Sequence, residues 1–312
     1  MPRPFRFSVQ AVTPASRTEW AELARRVEDT GFAMLVTADH LDETFSPLAP
    51  LISAADATSQ LRVGVLVLNN DFRHPALLAR EAATIDQLTD GRLEVGLGAG
   101  HSRPEYEHVG IPFDPAPVRV ARLGESVSIL RALLDGETVT VTGRHYRLAG
   151  ETCSPRPQQR HVPLLVGGGG RRVLAIAARQ ADIVGFTGVG ATRADGNTHE
   201  PSGFPPRVVD EQIRWVREQA GPRLDALEMH ALVQAVVIDR NPRGRAERLT
   251  TRLFPSLTVE DVLTTPYLMV GTVDGLVDRL LEQRERWGFS HYTVRTDAIE
   301  AMAPVVARLA GR

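Results

Sequence analysis

The chain has 312 residues, of which 43% are hydrophobic, and a net charge of −2, a balance that describes a globular protein and excludes the basic footprint of a nucleic-acid binder. No run approaches the roughly 18 apolar residues of a membrane span and the N-terminus lacks a signal-peptide core, so a cytoplasmic protein is expected, with neither membrane nor nucleic acid as partner. All 36 basic residues are arginine, which excludes Schiff-base, pyridoxal-phosphate and lysine-dependent phosphoryl-transfer chemistry and leaves proton transfer to His, Asp, Glu or Tyr.

Phe5 to Val12 alternates and reads as a first strand, followed by a helix capped by Ser16 that carries Trp20, Leu23, Ala24 and Val27 and stops at Gly31. Phe32 to Thr37 is a second strand and Leu51 to Ser59 a short helix. Leu61 to Leu68 is an almost unbroken branched run, the pattern of a parallel strand buried on both faces. A helix opens at Pro75 and runs to Leu88; Leu93 to Leu97 is the fourth strand, and Ala116 to Leu134 a long helix. Thr138 to Thr142 and His145 to Leu148, joined by Gly143-Arg144, predict a small hairpin decoration.

Leu164 to Val166 is the fifth strand. It runs into Gly167, Gly168, Gly169 and Gly170, and a helix opens at Arg171, where amides and the dipole's positive end favour an anion and Arg171 or Arg172 can add a charged contact. A flexible glycine turn is the alternative. Asp182 to Phe186 is the sixth strand, Thr187 to Pro206 a long loop for which a lid is expected, and Val208 to Gln219 a helix. Leu227 to Ile238 reads as the seventh strand, Arg243 to Leu253 and Thr272 to Trp287 as helices, and Ser290 to Val294 as the eighth strand before a closing helix.

Eight strands alternating with helices predict a single (β/α)₈ barrel over residues 1–312, with its site at the carboxyl ends of the strands. The polar motifs obey that rule. Asp39-His40, Asn69-Asn70, His101, the four glycines, Thr187 and Arg295 each follow a predicted strand, so they converge on one mouth. Cys153 reads as an inert loop thiol, no metal site is expected, and Glu94 reads as buried with a partner. Glu105, Tyr106 and Glu107 read as a solvated helix face; His230 and Gln234 share one face of strand seven and are further candidates for the mouth.

Thr37-Ala38-Asp39-His40, Arg73-His74-Pro75, the run from Asp90 to Gly100 ending Gly98-Ala99-Gly100, Val166 to Gly170 and Ala181 to Phe186 together resemble the bacterial luciferase-like superfamily, and more narrowly its oxidoreductases that use the deazaflavin coenzyme F420. The resemblance runs nearly end to end. It implies a dimeric barrel that holds a flavin-like ring at the strand ends. Asp39 and His40 match the acidic-histidine pair beside the ring, Asn69 and Asn70 the bulged strand end bracing its face, and Gly168, Gly169 and Gly170 the phosphate loop; Gly167, Gly100, Arg171 and Thr187 complete the expected cofactor contacts. In the group's sugar-phosphate dehydrogenase a glutamate stands in the place of His101, a tryptophan follows the matched histidine, near Thr44 or Phe45 here, and lysines hold the sugar phosphate. Their absence argues against a sugar phosphate as substrate.

His40 and His101 are the candidates for proton transfer, with Asp39 placed to favour the charged form of His40 and Arg295 placed to contact substrate. Structural histidines satisfying backbone carbonyls are the alternative. Three functions fit: an F420-dependent dehydrogenase or reductase of a small organic molecule, an FMN-dependent monooxygenase fed by a separate reductase, and a non-catalytic deazaflavin-binding protein. The two histidines and the Gly98-Ala99-Gly100 motif favour the first.

Overall fold

A computed structural model describes residues 3–11, 16–41, 45–190 and 199–312. In chain order the strands are β1 (Arg6–Gln10), β2 (Met34–Thr37), β3 (Arg62–Asn69), β4 (Leu93–Gly98), β5 (Val139–Thr142), β6 (Arg147–Glu151), β7 (Leu164–Gly167), β8 (Ile183–Phe186), β9 (Glu228–Leu232), β10 (Ala235–Ile238), β11 (Leu268–Gly271) and β12 (Phe289–Arg295). The helices are α1 (Arg17–Asp29), α2 (Ala49–Asp56), α3 (Pro75–Leu88), α4 (Arg103–His108), α5 (Ala116–Leu134), α6 (Arg171–Gln180), α7 (Pro206–Ala220), α8 (Pro242–Arg252), α9 (Val259–Thr264), α10 (Val273–Trp287) and α11 (Ile299–Leu309). Eight strands close into a parallel barrel in the order β1-β2-β3-β4-β7-β8-β9-β12. The (β/α)₈ architecture expected from the alternation of elements is therefore the fold.

Alternation along the strands sorts the interior. Phe7, Val9, Val63, Val65, Phe289, Tyr292 and Val294 belong to the large core under the helices, while Met34, Val36, Leu66, Leu165, Ile183 and Leu232 form a separate apolar cluster. At the amino-terminal end the inward positions are charged and paired. Arg6 bonds Glu94 at 2.6 Å and Glu228 at 2.6 Å, and Arg62 reaches Glu94 at 2.6 Å, so the partner expected for Glu94 is present twice over. One layer higher, His291 lies 2.6 Å from Ser8 Oγ and His230 2.8 Å from Thr293 Oγ1. His230 is thus a buried layer residue and does not reach the mouth.

Several boundaries differ from the sequence reading. The expected seventh strand is two: β9 stays in the barrel, and β10 leaves it to pair with β11 in a separate two-stranded sheet. The apolar run from Ala231 to Ile238 carries no Gly or Pro to announce the break, which is made by the amides of Val233 and Gln234 turning to the carbonyls of Thr293 and Tyr267. β11 and α9 were not foreseen, both being shorter than the window that periodicity needs, while α4 takes in the helix face read at Glu105 to Glu107. The hairpin pairs Val139–Thr142 with Arg147–Glu151 across a longer loop, whose amides at Arg144, His145 and Tyr146 are bound by the Glu125 carboxylate.

Candidate active site at the barrel mouth

A cavity of about 790 Å³ opens at the carboxyl ends of the strands. His40, in the loop after β2, sets its Nδ1 2.7 Å from Glu105 Oε1 on α4. The expectation that Glu105 and Tyr106 lie on a solvated face fails here. α4 turns both inward, leaving the Glu105 side chain 12% exposed and Tyr106 fully buried, while Glu107 does face solvent. His101, after β4, meets His40 edge-on at 5.5 Å between ring centroids and His199 at 4.6 Å. Burial pushes the His101 imidazole down to about 4, and the nearby His199 and His40 add to the effect, so it is neutral at pH 7.

Asp39 is not the partner of His40. Its side chain is 1% exposed and is claimed by Arg73 at 2.5 Å and by the Asn69 amide at 2.8 Å, so it ties the end of β2 to the end of β3. Asn69 reaches the cavity; its Oδ1 accepts from the Asp71 amide at 3.1 Å and from the Tyr106 hydroxyl at 3.0 Å. Asn70 is buried beside the Tyr146 hydroxyl at 3.3 Å and does not line the cavity. The irregular part of β3 lies earlier than the two asparagines, at the cis Leu66–Val67 peptide, where the register with β4 shifts between Val65 and Leu68. Leu66 and Val67 form that wall instead.

Gly100 holds φ of +72°, and a Cβ there would collide with the Tyr106 hydroxyl and the Asn69 amide, so no other residue fits that turn. Gly167, Gly168, Gly169 and Gly170 line the opposite side of the mouth from the strand end of β7 to the start of α6. Gly169 is pinned by Gln212, whose Nε2 donates to its carbonyl at 3.0 Å, and a Cβ on Gly169 would crowd that amide at 3.1 Å. Gly170, the N-cap of α6, has open space where a Cβ would be. These four residues form a cradle that exposes backbone to the cavity, which is what an anion at a helix start requires. Arg171 does not join it; the side chain is exposed and lies over the Trp215 ring at 5.9 Å.

Thr187, Gln234 and Arg295 line the cavity as the strand-end rule anticipates, with Gln234 Nε2 donating to the Thr187 carbonyl at 3.3 Å. Residues 191–198 lie outside the described residues, so the lid expected over 187–206 concerns only its stem, where Gly190 donates to the Glu200 carbonyl at 2.7 Å and Gly203 to that of Gly188 at 3.1 Å. That stem brings His199 to the mouth. Sequence reasoning missed Glu105, His199, Gln10 and Gln212. Glu105 alone left a signal, lying four residues after His101 in a segment that follows a strand end.

The family model for luciferase-like monooxygenases matches residues 3–287. The chain belongs to this family. A relative named F420-dependent glucose-6-phosphate dehydrogenase, from Nakamurella multipartita, is 31% identical over 83% of this chain and 75% of its own length. Other dehydrogenases of that name are matched over about half their length, 55% in the one from Microbacterium testaceum. Among solved structures, the coenzyme F420-dependent tetrahydromethanopterin reductase of Methanopyrus kandleri superposes with a TM-score of 0.76 at 19% identity, covering 98% of this chain and 100% of that one, a likeness of fold. His101 stands where the resemblance expects a glutamate, and a carboxylate arrives one helical turn later, from Glu105. Phe45 packs edge-on against Trp20 at 6.3 Å and is absent from the cavity wall; Thr44 lies outside the described residues.

Proposed function

We propose that the protein is an F420-dependent oxidoreductase that passes a hydride between the deazaflavin and a small organic molecule. The observation that carries this reading is the placement of a Glu105-bound His40 and a neutral His101 on one cavity with the four-glycine cradle. Relatives named for F420 support the deazaflavin over FMN. When bound, the cofactor supplies the hydride chemistry. The chain's own residues do the rest. Gly168, Gly169, Gly170 and the first amides of α6 hold a phosphate, and Leu66, Val67 and Asn69 brace a flat ring. His40 exchanges the proton that accompanies the hydride, with Glu105 fixing its ring, and His101 offers a neutral imidazole beside it on the same cavity.

The reading takes residues 1–312 as one domain in a cytoplasmic protein. It includes a homodimer, for which exposed Leu77 and Leu88 offer apolar surface three turns apart on α3. Titration with F420 and FMN, each oxidised and reduced, tests it. F420 should bind at least tenfold more tightly, about 1.4 kcal/mol. Tight FMN binding with oxygen-dependent turnover would instead establish the monooxygenase of the family's description, fed by a separate reductase.

A further inference from the structure

Among the described residues three acidic or arginine side chains line the cavity, and two of them are already matched: Asp39 by Arg73 and Glu105 by His40. The third, Arg295, has no ion-pair partner among the described residues. Burial lowers its pKa, and only Asp297, exposed two residues on, counters that effect. Arg295 is half-buried, a guanidinium keeps its charge in such a place, and an anion seated against it would complete it.

Its neighbour is also incomplete. Gln10 pairs with Arg295 in the β1–β12 register, and both are inward positions at the top of their strands. Gln10 Nε2 donates to the Leu66 carbonyl at 2.5 Å, which fixes the orientation of the amide because that carbonyl can only accept. Oε1 is left buried with no donor. An unmatched fork of donors and an orphaned acceptor therefore share one patch of wall. β12 lies four strands from β4 in either direction round the barrel, so the patch faces the strand end that carries His101. Between them the wall includes the apolar side chains of Leu66, Val67 and Leu232.

We propose that the substrate is a small carbonyl compound, or the corresponding alcohol, that carries a carboxylate, and that Arg295 with Gln10 seats the carboxylate while the reacting carbon points to the histidines. This rests on the deazaflavin reading above. One planar guanidinium matches one planar carboxylate through paired N–H bonds, and among the described residues Arg295 is the one arginine on the cavity wall. Gln10 Oε1 accepts from a hydroxyl or hydrated group next to the carboxylate. In reduction, the hydride from the reduced deazaflavin joins the carbonyl carbon, the C–O π pair moves to oxygen and takes a proton from His40; oxidation of the alcohol reverses both transfers. The carboxylate is a handle and does not react.

The test compares matched pairs of 2-oxo and 3-oxo acids with their methyl esters on the F420-loaded protein, by turnover and by calorimetric binding. The wild-type protein should favour at least one acid over its ester by 100-fold or more in kcat/KM or in Kd. Arg295→Met should bring that preference to within threefold, mainly through KM, and Arg295→Lys should restore part of it. F420 affinity measured by titration should stay within threefold in both variants. Esters accepted or bound as well as every acid would overturn the proposal, as would a tenfold loss of F420 affinity in Arg295→Met, which would assign the arginine to the cofactor. Failure of F420 to bind the wild-type protein would sink the deazaflavin reading itself, a different result from binding without acid preference.

Discussion

His40 Nδ1 and Glu105 Oε1 lie 2.7 Å apart, joining the loop after β2 to the helix after β4. A carboxylate at that distance accepts the Nδ1 proton and leaves proton exchange with substrate to Nε2. His40→Ala should therefore slow single-turnover hydride transfer by about 10² to 10⁴ with little change in F420 affinity. Glu105→Gln keeps a hydrogen-bonding side chain but removes the charge that holds the imidazole's tautomer, and a loss of about 10-fold or more, up to about 10⁴, is expected. Wild-type rates in Glu105→Gln would show that the pair is only structural.

Asp39 carries a different burden. Its carboxylate is almost wholly enclosed and is neutralised by Arg73, so Arg73→Met leaves a buried charge without its partner. Such a break costs about 3–5 kcal/mol. Urea unfolding should register that loss, and adding Asp39→Asn to the variant should return a good part of it. An additive double variant would mean that the two residues act independently.

The glycine cradle allows stability and ligand binding to be separated. Gly169→Asp crowds Gln212 as well as placing a charge, so its loss of binding would be ambiguous. Gly170 has open space and N-cap geometry, with φ −79° and ψ 144°. Aspartate is at least as good an N-cap as glycine, so Gly170→Asp should unfold at an equal or slightly higher urea concentration, a gain of a few tenths of a kcal/mol. Its carboxylate would nonetheless occupy the place of a phosphate, and F420 affinity should fall by about 100-fold or more, roughly 2.7 kcal/mol. Retained affinity would reduce the cradle to a turn.

The strand ends were legible because a barrel puts every strand-to-helix loop on one face, so the location of Asp39, His40, His101, Thr187 and Arg295 followed from order alone. What each side chain meets was not legible. Asp39 adjoins His40 in sequence, yet successive residues past a strand point different ways, and a distant arginine took the carboxylate. Glu105 became visible only once α4, six residues long, folded back over the mouth. Asn70 and Arg171 sat at the right loops but turned away from the cavity, Asn70 into the hairpin and Arg171 onto Trp215. The break after β9 is set by tertiary hydrogen bonds to Thr293 and Tyr267, for which the local sequence carries no mark.

Three histidines, His230 and His291 buried and His101 half-buried, give the fold a pH dependence whose sign can be worked out. Burial lowers His101 from 6.5 to about 4, with His199 and His40 adding to it, and lowers His230 and His291 in the same direction. As pH falls below 6.5 the unfolded chain takes up protons that the native imidazoles still refuse, so stability is full above that value and declines towards pH 4. Each such group contributes up to about 1.4 kcal/mol per pH unit between its two values. Glu228 acts lower down. Burial raises its pKa, but contact with the His291 ring and the Arg6 guanidinium overcomes that and holds it well below the usual carboxylate range, so its contribution is lost only under about pH 4.5. Urea midpoints measured at pH 7.5, 5.5 and 4.5 should fall progressively for the wild type. His101→Asn, which cannot titrate, should lose less over that interval, the difference growing between pH 6.5 and 4.5. Parallel curves for the two proteins would mean that His101 is not held neutral, and its place as the second proton-handling residue would fall with it.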